Sequence, residues 1–124
     1  MKSYTDIEQS KKLAEILPLE SADMSYTWDF EDEQYYINTE KFSNWIIPKY
    51  AESAKHKQVI PCWSIAALFN LCPTINGKQP ILTRGKITRL WYCYYEDEMD
   101  TQTYDNPVDA CVAMIEELHE QKLL

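Results

Sequence analysis

The residues to weigh first are those whose types could do chemistry. Cys62-Trp63-Ser64 sets a thiol and a hydroxyl close together, and either becomes a nucleophile if a base stands beside it. No glycine-flanked elbow surrounds Ser64, and no base is recognisable near it. The plainer role is structural, with Ser64 as a helix N-cap and its two neighbours as core side chains. Cys62, Cys72, Cys93 and Cys111 each lie within an apolar stretch and form no Cys-x-x-Cys pair. Zinc ligands usually come as close pairs, so the four cysteines read as small core side chains, and no metal or other cofactor is expected. The histidines are His56 and His119. His119 has a structural place near a helix C-terminus, and His56 reads as an exposed residue of a basic stretch. The acidic runs Asp29 to Glu33 and Glu96 to Asp100 offer carboxylates for a cation or an acid–base pair. Neither follows the calcium-loop pattern or holds its glycine, and solvated hairpin turns account for both. No catalytic residue is assigned.

A binding surface is the better candidate. Lys78, Arg84, Lys86 and Arg89 come just before Trp91, Tyr92, Tyr94 and Tyr95. Exposed rings beside those cations would make a platform for single-stranded nucleic acid. Rings turned into a sheet core would leave only a basic strip. The net charge is −8, but it is laid out unevenly. Residues 1–40 hold three lysines against ten acids, residues 41–95 eight basic residues against one acid, and residues 96–124 one lysine against nine acids. Folding can bring these blocks together and cancel them. Kept apart, a basic face and an acidic face would steer a charged partner. An acidic chain could also imitate a nucleic-acid backbone, a reading the basic middle block opposes.

These residues need elements to position them. At 124 residues the chain is expected to form one domain, 1–124, with its own core. With only two glycines, phosphate-cradling loops and a turn-rich sandwich are disfavoured. The start of the chain lacks the apolar region of a signal peptide, and no run approaches membrane-spanning length. A cytoplasmic protein with reduced thiols and no membrane partner is expected.

Thr5-Asp6-Ile7-Glu8 reads as a capping box. The helix after it would bury Ile7, Leu13, Ala14 and Leu17, with Ser10 between them, and stop at Pro18. Ser25 to Phe30 alternates polar and aromatic residues, predicting a strand with Tyr26, Trp28 and Phe30 inward; Gln34 to Asn38 would return as a hairpin. Residues 39–59 are the least readable, being apolar, broken by Pro48 and locally basic. Ser64 to Leu71 is a helix with almost no polar face, which predicts burial on most sides. Asn76-Gly77 marks a tight turn. Ile81 to Thr83 looks like a strand, followed by a turn near Gly85 and the strand-like run from Ile87 to Glu96. In that run Leu90, Tyr92 and Tyr94 share one face, and Trp91, Cys93 and Tyr95 the other. Such a strand would be central, covered on both sides or on one side by a partner. Thr101 to Tyr104 would add a short edge strand. Asn106 as N-cap and Pro107 at N1 open a last helix that places Val108, Cys111, Val112, Ile115, Leu118 and His119 on its apolar spacing. The expected class is α+β. It comprises an antiparallel sheet of four to five strands packed by an N-terminal, a central buried and a C-terminal helix.

Three stretches also carry a likeness. They are Glu8 to Met24 (EQSKKLAEILPLESADM), Ile60 to Ser64 (IPCWS) and Asp105 to Cys111 (DNPVDAC). In that order they resemble an uncharacterised family of small proteins from phages and mobile elements of gut bacteria. The likeness covers both ends and the centre, a little under half of the chain. It implies a bacterial mobile-element setting and no particular activity, so no site residue comes from it. The expected function is therefore a non-enzymatic interaction or accessory protein acting on an unidentified host or element-encoded protein. Nucleic-acid binding through the basic 41–95 block is the alternative, and an enzyme with a composite site the third class. The oligomeric state stays open.

Overall fold

The structure is a computed structural model that describes residues 2–39 and 59–124. The expectations placed on residues 40–58, His56 among them, lie outside the described residues. The rest form helices α1 (Ile7–Ala14), α2 (Ile65–Leu71) and α3 (Pro107–Glu120) and strands β1 (Met24–Asp29), β2 (Gln34–Asn38), β3 (Val59–Cys62), β4 (Ile81–Arg84), β5 (Trp91–Tyr95) and β6 (Met99–Asp100). The class is α+β. In place of one antiparallel sheet of four to five strands there are two three-stranded antiparallel sheets, β2-β1-β3 and β4-β5-β6. The chain divides into two compact units, Thr5–Ala67 and Met1–Tyr4 with Leu68–Leu124.

In the Thr5–Ala67 unit, α1 starts one residue later than its sequence suggests. Asp6 is the N-cap: its Oδ1 accepts the Gln9 N–H at 2.8 Å, and Gln9 Oε1 accepts the Asp6 N–H at 3.1 Å. Thr5 is instead wholly buried. Its hydroxyl shares a 2.7 Å hydrogen bond with Ser10 Oγ and accepts the Trp63 N–H at 3.1 Å. Its carbonyl accepts the Tyr26 hydroxyl at 2.7 Å. Those buried partners would be left unsatisfied if Thr5 turned outward to cap. Ser10, Leu13 and Leu17 are buried as expected.

The β1–β2 hairpin forms with Trp28 opposite Tyr35. Asp29 Oδ1 accepts the Glu31 and Asp32 N–H groups at 2.8 and 3.2 Å, an aspartate turn that replaces the missing Asn-Gly. Because β1 stops at Asp29, Phe30 leaves the strand alternation and stands 68% exposed; the wholly buried residue of the strand is Ser25. The expected inward set Tyr26, Trp28 and Phe30 is thus corrected. The sheet count has a related cause. β3 takes the second edge of β1, with Tyr26 opposite Ile60, so both ladders of β1 are used and the later strands pair among themselves. β3 was hidden by Pro61, a residue that strands admit at an edge.

Ser64 caps α2, accepting the Ala67 N–H at 3.2 Å. Of the seven helical residues only Leu68 is fully buried, so the expected central buried helix is corrected. Ala66 and Asn70, four apart, face solvent, and a methyl group is cheap to leave exposed.

In the second unit, Asn76 and Gly77 have φ of 49° and 77°, the paired left-handed backbone of a tight hairpin turn. Ile75 and Lys78 exchange two 2.9 Å backbone hydrogen bonds across it. β5 is central, as expected, but it begins at Trp91 rather than Ile87. Residues 85–90 form a loop closed by Gly85 N–H to Leu90 O at 2.9 Å and Arg89 N–H to Gly85 O at 3.0 Å. Opposite β5, Asp100 pairs with Tyr94 and Tyr104 with Trp91. The outer chain therefore holds one residue more than β5 over this span, a bulge, and Thr101 Oγ1 accepts the Cys93 N–H at 3.0 Å. The expected edge strand at Thr101 to Tyr104 is reduced to β6 and a single bridge. Glu33, Arg89, Asp97 and Lys122 also take left-handed backbone, with φ of 52°, 58°, 59° and 61°.

α3 follows its sequence closely. Asn106 Oδ1 accepts the Asp109 N–H at 2.9 Å, and Pro107 stands at N1. Ala110, Met114 and Leu118, each four apart, form one buried cluster with Cys93 and Tyr95. His119 is exposed. Asn106→Ala is expected to lower stability by about 1 kcal/mol, read as a lower urea midpoint with unchanged slope.

Candidate functional site

The eight candidate surface residues reach four different places. Arg84 and Trp91 face each other across β4 and β5, with the Arg84 guanidinium 5.9 Å from the centre of the Trp91 ring. Arg84 Nε also donates to Arg89 O at 3.0 Å, which ties the arginine to the loop of residues 85–90. Lys86, Ile87 and Arg89 are exposed on that loop. Arg84, Lys86 and Arg89 thus make one basic tip. Ile87, at its centre, is 96% exposed.

Strand alternation separates the aromatics. Trp91 packs against the cluster that holds Cys93 and Tyr95. Tyr95 is 1% exposed, and its hydroxyl donates to Pro73 O at 2.7 Å; it is no surface residue. Tyr92 and Tyr94 lie on the other face of β5, half-buried, with stacked rings 5.6 Å apart. Lys78 leaves the basic group altogether. Its ammonium is 3.6 Å from Asp97 and 4.0 Å from Glu98, in the turn beyond the end of β5 away from the tip.

No family model, curated protein or solved structure matches the chain.

The sequence makes the tip only partly legible, because Ile87 extends the strand-like run. The usable signal was Gly85, whose added Cβ would lie 2.5 Å from Thr88 Oγ1; a glycine so placed marks a tight loop rather than a ladder. The groups with catalytic potential are occupied otherwise. The Ser64 hydroxyl donates to an Asp23 carboxylate oxygen while accepting the Ala67 N–H. Burial pushes the Cys72 thiol up to about 11 and those of Cys93 and Cys111 up to about 12, and it raises Cys62 too. Thiols held that far above neutral pH are poor nucleophiles. Among the described residues no group of three or more His, Cys, Asp or Glu could hold a metal ion, and no helix is long and apolar enough to cross a membrane.

An open pocket of about 540 Å³ lies at the end of the β1–β2 hairpin, lined by Thr27, Trp28, Asp29, Phe30, Glu31 and Tyr36. The Tyr36 hydroxyl donates to Asp32 Oδ2 at 2.5 Å, which holds its ring in place, while the Trp28 ring meets Tyr35 edge-on at 4.9 Å on the opposite face of the hairpin. Aromatic walls with a carboxylate rim suit an apolar group that carries positive charge beside it.

Proposed function

We propose that this chain is a non-enzymatic interaction protein, an accessory of a bacterial phage or mobile element, that binds another protein through the tip at residues 84–89. Ile87 carries the reading. A branched aliphatic side chain left 96% exposed forgoes the burial that stabilises such residues, about 1.5–3 kcal/mol. It sits among Arg84, Lys86 and Arg89 on a chain of net charge −8. A contact that covers the isoleucine and sets carboxylates against the cations would use both features. The engaged Ser64 hydroxyl and the raised thiols support a role without catalysis. The mobile-element setting rests on the likeness of the three stretches described above.

The test places a photo-crosslinking residue at position 87 and, as control, at exposed Gln102, in a bacterial lysate. The expected result is a discrete adduct from position 87 alone. It disappears with Lys86→Glu and Arg89→Glu and fades in about 1 M salt. Equal adducts from both positions, or one indifferent to charge reversal, overturn the reading.

A second reading has one observation in its favour. An apolar side chain flanked by arginine and lysine is also the form of a minor-groove wedge. The acidic total and the inward turn of Trp91 and Tyr95 oppose a stacking platform. A salt-sensitive gel shift with DNA or RNA that Ile87→Ser abolishes would transfer the tip to nucleic acid.

A further inference from the structure

The tip has its chemical complement on the same chain. The pocket at the end of the β1–β2 hairpin offers Phe30 and Tyr36 as apolar wall and Asp29 and Glu31 as rim. Phe30 is 68% exposed, as open to solvent as an unfilled contact would leave it. Thr27 also lines this pocket, and its Oγ1 is buried with no hydrogen-bond partner; a buried hydroxyl is normally paired. The tip presents the reciprocal pattern, an aliphatic side chain between cations.

We infer that the chain self-associates head to tail, with the Ile87 tip of one copy seated in the Phe30–Tyr36 pocket of another. This rests on the tip being a contact surface, as proposed above, and names the acidic counterpart as a second copy. Charge complementarity decides the occupant. Lys86 and Arg89 meet Asp29 and Glu31, and every molecule brings both halves, so concentration alone drives the contact. Ile87 is 96% exposed and so available to a partner. The two surfaces differ, so the contact is heterologous. Each copy added offers a fresh tip and a fresh pocket, and growth continues unless a ring closes. A tip in a pocket buries less than a standard interface, so the association is expected to be weak, with a dissociation constant on the order of 0.1 mM. Exposed charges make it salt-sensitive.

Sedimentation velocity over a concentration series at low salt tests this with two variants altered only at exposed positions. One changes the tip, Lys86→Glu with Ile87→Ser, and the other the pocket, Phe30→Ser with Glu31→Gln. Circular dichroism of each checks that the fold is kept. The wild-type chain is expected to grow with concentration, and each variant alone to associate at least about tenfold more weakly. Mixed together, the variants regain one contact. The intact pocket of the first takes the intact tip of the second, giving a 1:1 dimer that extends no further. Wild-type chain that stays monomeric to about 1 mM, a variant that associates like wild type, or a mixture that does not pair overturns the inference. A monomeric chain whose residue-87 cross-link to a foreign protein persists overturns self-association alone; one that shows neither overturns both readings. A monomeric chain whose tip shifts nucleic acid assigns the tip to nucleic acid and likewise overturns it.

Discussion

Trp63→Ala is expected to lower the stability of the chain by about 3–5 kcal/mol, the range for removing a large buried aromatic. Among the described residues Trp63 is the largest wholly buried side chain, at 0% exposure. Its indole N–H donates to Ser21 Oγ at 2.9 Å, and Ser21 Oγ in turn donates to Pro18 O. The ring thus anchors the turn between α1 and β1 as well as filling space. Trp63→Phe keeps most of the apolar volume and loses the N–H, so its expected cost is smaller, about 1–2 kcal/mol. Urea unfolding followed by far-UV circular dichroism measures both. A loss under about 1 kcal/mol for the alanine variant would contradict the placement of the ring.

The second large effect is a steep loss of stability in alkali. Cys93 and Cys111 are buried in the folded chain, and burial carries their thiols from the ordinary 9.0 up to about 12. Cys93 is raised further by the neighbouring Cys111 and Cys72. Burial raises the Tyr95 phenol in the same direction. Below pH 9.0 both folded and unfolded thiols hold their protons, and the stability from these groups is fully present. Above that pH the unfolded chain sheds protons that the folded chain retains, so stability falls until the folded thiols titrate near pH 12. Each thiol contributes a slope of about 1.4 kcal/mol per pH unit, and the two together about 3. That is large against a total of about 5–15 kcal/mol for a small domain. Urea midpoints should therefore be level up to pH 9.0 and fall steeply from there toward about pH 12. Cys93→Ala combined with Cys111→Ala should flatten the fall. A curve of the same steepness without the two thiols would assign the alkaline loss to other groups.

What the sequence made legible was local. Asn106 and Pro107 sit beside the helix they start, and the apolar spacing of α3 is read within its own length. Asn76-Gly77 declares its turn by backbone preference alone. What stayed hidden depends on distant partners. Thr5 fails to cap α1 because its hydroxyl serves Trp63, 58 residues away. The split into two sheets follows from β3 pairing with β1, and no local pattern announces that pairing. Alternation along β5 separated Trp91 and Tyr95 from Tyr92 and Tyr94, but not which set met α3. Lys78 left the candidate site because Asp97 and Glu98 lie beside it in space. Ile87 departs from its sequence pattern for a different reason: its β-branched side chain favours a strand, and the loop closed between Gly85 and Leu90 overrides that preference.

The turns of this chain also say something about where its charge is placed. Glu33, Arg89, Asp97 and Lys122 hold left-handed backbone, a conformation that glycine adopts freely and that costs other residues roughly 1–2 kcal/mol each. Glu33 belongs to the acidic turn after β1 and Arg89 to the basic tip, so the turn beside the pocket and the tip each keep a charged residue where glycine would carry no strain. Among the described residues these four positions lie in turns or just past a helix end, outside the strands and helices. The chain is in this respect less stable than its topology allows, and more strongly marked at its tips.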